Sequence, residues 1–329
     1  PKKAPDEARR KLQHLARRAY TMARMTYVTD ETTLSFTTRN DCRDQPSADE
    51  RDGELVSIQL EVNKTAREVY GLDKGGVRGL LRTVDGEQRR NGITTDRRAD
   101  VRFKDGLEPE NELMWYVGAV VGRWDVRFAL DTDLVPQLWE AFDPLPVCPP
   151  GMLVNPVRLP AARDSMVSEE WLRAWPDAIT LPETREINGE LMVLGEEGNV
   201  LGPATIPEED YPIDIDWDGI LVDDPDHPDD IIGRIRDVLE VLWGERAEEI
   251  ERETCEILDE KSLRHYFRKK GGTGFFMQHV RRYSKSRRKA PIYWLLQSEK
   301  KSYGLWLYYH RLDPDIYHKA LVNYVQPKL

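Results

Sequence analysis

Asp214, Asp216, Asp218, Asp223 and Asp224 place five carboxylates within "DIDWDGILVDD", and hard cations such as Ca²⁺ or Mg²⁺ are bound by carboxylate oxygens. The spacing does not match an EF-hand loop, and His227 lies among turn-forming residues. Asx turns and helix caps account for most of these aspartates, so the metal-dependent nuclease they would suggest is the weakest of three functional readings. The stretch "KKGGTGFF" (269–276) could cradle a phosphate on backbone N–H groups. It lacks the full phosphate-loop pattern, no strand precedes it, and a helix stop and restart explain it. There is no G-x-S-x-G, and the six histidines (14, 227, 265, 279, 310 and 318) have no metal-ligand spacing. No residue of this chain is assigned a catalytic, cofactor-binding or metal-ligating role.

One stretch differs in kind. "RRYSKSRRKAPIYW" (281–294) sets Arg281, Arg282, Lys285, Arg287, Arg288 and Lys289 into nine positions. Six cations so close repel one another unless a polyanion neutralises them, and arginine's planar fork suits phosphate oxygens. Tyr283, Tyr293 and Trp294 add rings that could stack on bases, with Trp294 the most core-like by strand pattern. These residues are the DNA-binding candidates: Arg281, Arg282, Lys285, Arg287, Arg288, Lys289 and Tyr293. The competing expectation is internal. Residues 206–260 hold 21 Asp plus Glu against 4 Arg, while residues 261–329 hold 16 Lys plus Arg against 3 acids. The cations could therefore lock onto the acidic segment of the same chain.

These residues need elements to carry them. The chain has 329 residues, 40% hydrophobic and 33% charged, enough for real cores in a soluble protein. No apolar run reaches membrane-spanning length, and the N-terminus has no apolar signal core. The missing initiator Met points to a fragment. Cys42, Cys148 and Cys255 form no CxxC pair, which favours a reducing compartment, with the cytoplasm as default.

Apolar spacing predicts helices over 5–25 (Leu12, Leu15, Ala19, Met22), 54–70 (Leu55, Ile58, Val62, Ala66, Val69) and 110–122, the last apolar on nearly all sides. Further helices are expected over 229–243, 245–259, 261–270 and 275–283. The polar stretch 38–54 and the charged, Gly-dotted 72–108 read as loops. Asn188-Gly189 marks a hairpin turn, and "PIYWLLQS" with "YGLWLYYHRL" forms a second hairpin. Asp313-Pro314 should start a last helix bearing Ile316, Ala320 and Tyr324. Trp124, Trp294 and Trp306 are the expected core tryptophans. The fold class is α+β, predominantly helical, with a C-terminal β-hairpin and a proline-rich irregular middle. Its parts are a helical spacer (1–72), a loop plus buried helix (73–141), the proline-rich extension (142–228) and a C-terminal helical and hairpin domain carrying the basic cluster (229–329).

"RRYSKSRRKAPIYWLL", "SYGLWLYYHRL" and the closing "LVNYVQPKL" resemble the C-terminal region of large adenine-specific DNA methyltransferases, the BREX phage-defence methylase PglX and the related type IIG restriction–modification enzymes. "LEVNKTAREVYGL" (60–72), "LMWYVGAVVGRWDVRF" (113–128) and "DDIIGRIRDVLEVLWGERAEEIERETCEIL" (229–258) resemble further pieces of that family in the same order. The resemblance implies transfer of a methyl group from S-adenosylmethionine to adenine N6 in double-stranded DNA, with the adenine flipped out. The family's Gly-rich cofactor loop and its Asn/Asp-Pro-Pro-Tyr/Phe motif are missing. "FDPLPVCPPGM" (142–152) and "VNPVRLP" (154–160) have the wrong order. The expectation is thus a non-catalytic C-terminal part, with no cofactor of its own. Its partners would be double-stranded DNA, the parent's methyltransferase domain and other defence proteins, with no membrane. The alternative is a protein–protein scaffold in a defence complex.

Overall fold

A computed structural model describes residues 6–25, 27–28, 30–31, 36–38, 48–70, 109–140, 143, 148–155, 184–195, 197–203, 211–215, 218–269, 273–283, 291–312 and 314–329. The fold is α+β, with helices dominating and two small antiparallel sheets. Two compact units result: Pro1–Tyr27, Arg43–Leu107 and Trp139–Pro144 form the first, and Val28–Cys42, Glu108–Leu138 and Leu145–Leu329 the second. Among the described residues no helix is long and apolar enough to cross a membrane.

In the first unit, helix α1 (Asp6–Met25) packs on α2 (Ala48–Tyr70). Arg18 pairs with Glu54 and Lys11 with Glu61, so one helix runs down as the other runs up. Leu15 and Ile58 are buried from the expected stripes. The loop expected over 38–54 is corrected at its end: helix α2 already begins at Ala48. Its Ala, Glu and Arg have high helix propensity, and Glu54 has a partner on α1.

The second unit is built around α3 (Pro109–Val120), whose Leu113 to Val121 are buried. Gly122 follows at φ +67°, a left-handed turn that a side chain rarely adopts, and sends the chain back as Arg123-Trp124-Asp125. Backbone bonds stitch three remote segments there. Gly151 N donates to Phe36 O (2.9 Å), Asp125 N to Gly151 O (3.0 Å) and Leu153 N to Arg123 O (3.1 Å).

Strands β1 (Thr184–Ile187), β2 (Glu190–Leu194) and β3 (Val200–Pro203) make a meander. Its first turn is Asn188-Gly189, both at positive φ, as the sequence predicts. The second sheet has the order β4-β6-β5, from β4 (Ile220–Val222), β5 (Tyr293–Gln297) and β6 (Gly304–Tyr308). One face carries Leu221, Leu295, Trp306 and Tyr308 toward α4 (Ile231–Trp243), α6 (Leu263–Arg268) and α7 (Phe275–Tyr283). The other carries Ile220, Val222, Leu305 and Leu307 under α8 (Ile316–Lys319) and the wider π-turn of 320–325. Ile316, Ala320 and Tyr324 are buried there, as their spacing predicts, while Asp313 lies outside the described residues. Helix α5 (Ala247–Ile257) follows α4 after Gly244, which has φ +55°. Trp124 and Trp306 are core residues, but Trp294 is not: it is 45% exposed.

Candidate nucleic-acid interface

Helix α7 leads into the basic block. Its apolar side buries Phe275, His279 and Val280, leaving Arg281 exposed in the last turn, where cations oppose the helix's negative end. Arg282 turns inward. Its guanidinium donates to Asn111 Oδ1 (2.7 Å) and to Asp30 Oδ1 (3.2 Å), and lies 3.8 Å from Glu31 Oε1. Glu31 is buried and accepts the indole N–H of Trp124 (2.9 Å). Arg123 completes the cluster, its guanidinium 4.3 Å from the Trp124 ring centre and 4.9 Å from that of Tyr283. Burial pushes the Glu31 carboxyl above its ordinary value, partly offset by Arg123 and Arg282. The last turn of α7 is therefore tied to the Gly-Arg-Trp-Asp turn after α3, so the origin of the basic block is fixed in the core.

The sequence-predicted contact residues separate. Arg281 is exposed and Arg282 is committed to ion pairs; Lys285, Arg287, Arg288 and Lys289 lie outside the described residues. Tyr293, expected to offer a ring to a base, is 1% exposed, its ring centre 5.5 Å from that of His279 and 5.7 Å from that of Tyr308. A base cannot reach it. Its neighbour Trp294 is on the open face of β5 instead. An all-apolar run gives no parity, so the sequence cannot say which of two adjacent aromatics faces inward. Register decides it: Tyr293 pairs with Tyr308 and Trp294 with Leu307. Tyr283 is half-buried with Arg123 over its ring, leaving that face unavailable for stacking.

The acidic and basic segments do meet, through a different set of cations. Arg264 holds Asp230 through two bonds (2.9 and 2.8 Å) and also bonds Asp223, which Arg268 grips as well. Lys269 and His265 both reach Glu260, and Lys328 reaches Asp224 at 2.7 Å. Asp230 also caps α4, accepting Gly233 N at 2.9 Å. Tyr324 O–H lies 3.0 Å from Asp218 Oδ1 and 3.1 Å from Asp229 Oδ2. Burial and the nearby Asp229 raise the Asp218 carboxyl, against the lowering effect of the Tyr324 bond. The aspartates are thus spent on caps, turns and ion pairs, and among the described residues no His, Cys, Asp or Glu side chains gather as metal ligands. Cys255 is buried and Cys148 partly so, with burial pushing the Cys148 thiol up to about 11.

The α+β architecture and this anchored basic segment are where comparison with known proteins becomes useful. The chain is 29% identical over 160 residues to the adenine-specific methyltransferase BrxX of Escherichia coli O9:H4 (strain HS), covering 44% of this chain and 13% of that protein. This supports a relationship to a BREX-type adenine-specific methyltransferase, of which the chain spans only a small part. No family model and no solved structure matches.

Proposed function

We propose that this chain is a non-catalytic, DNA-contacting part of an S-adenosylmethionine-dependent N6-adenine DNA methyltransferase of a phage-defence system. The observation that carries the reading is the similarity to the adenine-specific methyltransferase BrxX over 160 residues. The acid-free stretch from Lys261 to Ser298, with eleven Lys and Arg, supplies the means of contact. Arg264, Arg268 and Lys269 are neutralised within the chain, which leaves the block after α7 as the concentrated positive segment. Cations of this kind hold backbone phosphates without reading sequence, and their affinity falls with salt as counterions are released.

Methyl-donor chemistry is not assigned to this chain. The only glycine cluster beside lysines, Gly271-Gly272-Thr273-Gly274, follows helix α6 rather than a strand, unlike the loop a nucleotide-type cofactor uses. The test is equilibrium binding of the chain to a labelled duplex over a salt series. Affinity dropping steeply with salt supports the reading; no salt-dependent binding favours a scaffold role. The chain alone should show no S-adenosylmethionine binding by calorimetry, and micromolar affinity for that cofactor would contradict the assignment.

A further inference from the structure

Strand β5 is the open edge of its sheet. Ser298 N donates to Tyr303 O and Tyr309 N to Ile292 O, which fixes the alternate positions 292, 294, 296 and 298 as those whose backbone faces β6. The side chains alternate too. Tyr293 and Leu295 turn into the core, while Trp294 (45% exposed) and Leu296 (42% exposed) stand on the other face. Large apolar side chains two apart on an edge strand are a hazard that proteins usually blunt. Here the sequence places them directly after the basic block. Lys285, Arg287, Arg288 and Lys289 fall within nine residues of Trp294, and Lys300 and Lys301 follow at the hairpin turn.

We infer that Trp294 and Leu296 are the apolar half of the DNA surface. They press against the base stack from the minor groove while the neighbouring cations hold phosphates. Three observations favour duplex DNA as the occupant. Positive charge flanks the strand at both ends, which complements a polyanion. Side chains two apart on a strand are separated by roughly 6.6 Å, close to twice the ~3.4 Å rise per base. Indole and isobutyl groups at such a spacing suit the apolar wedges by which minor-groove proteins unstack a step. The inference rests on the DNA-contacting reading above and adds to it the residues that meet bases.

The experiment uses the whole 329-residue chain and a duplex carrying 2-aminopurine, with affinity and fluorescence read over a salt series for the unaltered chain, Trp294→Ala and Trp294→Phe. Trp294→Ala should weaken binding about tenfold at every salt concentration, the order that base–aromatic stacking supplies. Its log–log salt slope should stay unchanged, because no phosphate contact is lost, and the 2-aminopurine signal should vanish. Trp294→Phe should recover most of the affinity. Trp294 is exposed, so a thermal melt like that of the unaltered chain will show the loss is not unfolding. Equal affinity and equal fluorescence for Trp294→Ala, with the salt slope intact, would overturn the wedge while leaving the DNA reading in place; a partner strand added to the β5 edge would give that result. No salt-dependent binding by the unaltered chain would overturn both.

Discussion

Trp124 donates its indole N–H to Glu31 at 2.9 Å, joining residues 93 apart in sequence inside a core that almost excludes water from both. The same carboxyl faces Arg123 and Arg282. Glu31→Ala would leave two arginines short of their counter-charge in a buried site, which costs on the order of 3–5 kcal/mol. Trp124→Ala should cost a similar amount, about 3–5 kcal/mol, by opening a cavity under α3. Chemical denaturation measures both. A loss under about 1 kcal/mol for Trp124→Ala would mean this helix is not held by the indole.

Gly118 makes room for that indole. A Cβ built there would stand 2.3 Å from Trp124 Cδ1 and 2.4 Å from Nε1, closer than real atoms approach. Gly118→Ala should therefore destabilise by about 1–3 kcal/mol through overpacking, despite alanine's better helix propensity. Gly53, on α2, has nothing within 4 Å of the same position, so Gly53→Ala should stabilise by roughly 0.5–1 kcal/mol. Opposite signs for the two variants in the same denaturation assay are the expected outcome.

His279 is fully buried among Phe275, Phe276 and Tyr293 with no hydrogen-bond partner on either ring nitrogen. Burial pushes its imidazole down to about 4, against smaller raising effects from the backbone at Phe276 and Phe275. The unfolded ring takes a proton near its ordinary 6.5, whereas the folded ring does so only near 4. The neutral ring's full contribution is thus present above the unfolded value. It is lost progressively as pH falls from there to about 4, a change on the order of 3 kcal/mol. His279→Phe keeps the ring packing and removes the titration. The difference in stability between the two proteins should shift toward the phenylalanine variant between about pH 7.5 and about pH 4.5. A difference that does not change with pH would show that the ring is protonated in the folded state.

Much of the frame was legible in the sequence because it is local. Apolar spacing located α1, α3, α4, α5 and α7, with α7 matching over Phe275–Tyr283, and Asn188-Gly189 marked a hairpin because only such residues accept two positive φ values. The anchor was not legible. Glu31 and Phe36 lie in a stretch with no helical or strand period, and their partners are Trp124 and Gly151, brought near only by the fold. Charge asymmetry did foretell that acidic and basic segments meet. It could not say that Arg264, Arg268 and Lys269 would do so while Arg282 turned to Asp30 and Glu31. On β5, composition identified an aromatic strand, but only register separates a buried Tyr293 from an exposed Trp294.

The central claim is that the block after α7 grips DNA phosphates, and the salt slope of a double variant tests it most directly. Arg287→Ala with Arg288→Ala should remove two phosphate contacts. The log–log slope of duplex affinity against salt should then shrink by about 0.9 for each, or roughly 1.8 in all. The loss should be equal on unrelated duplex sequences, since phosphate contacts position without specifying, and the thermal melt should hardly move. An unchanged slope in a protein that has lost stability would contradict the account, because the two arginines would then be internal ion-pair partners rather than a surface for DNA.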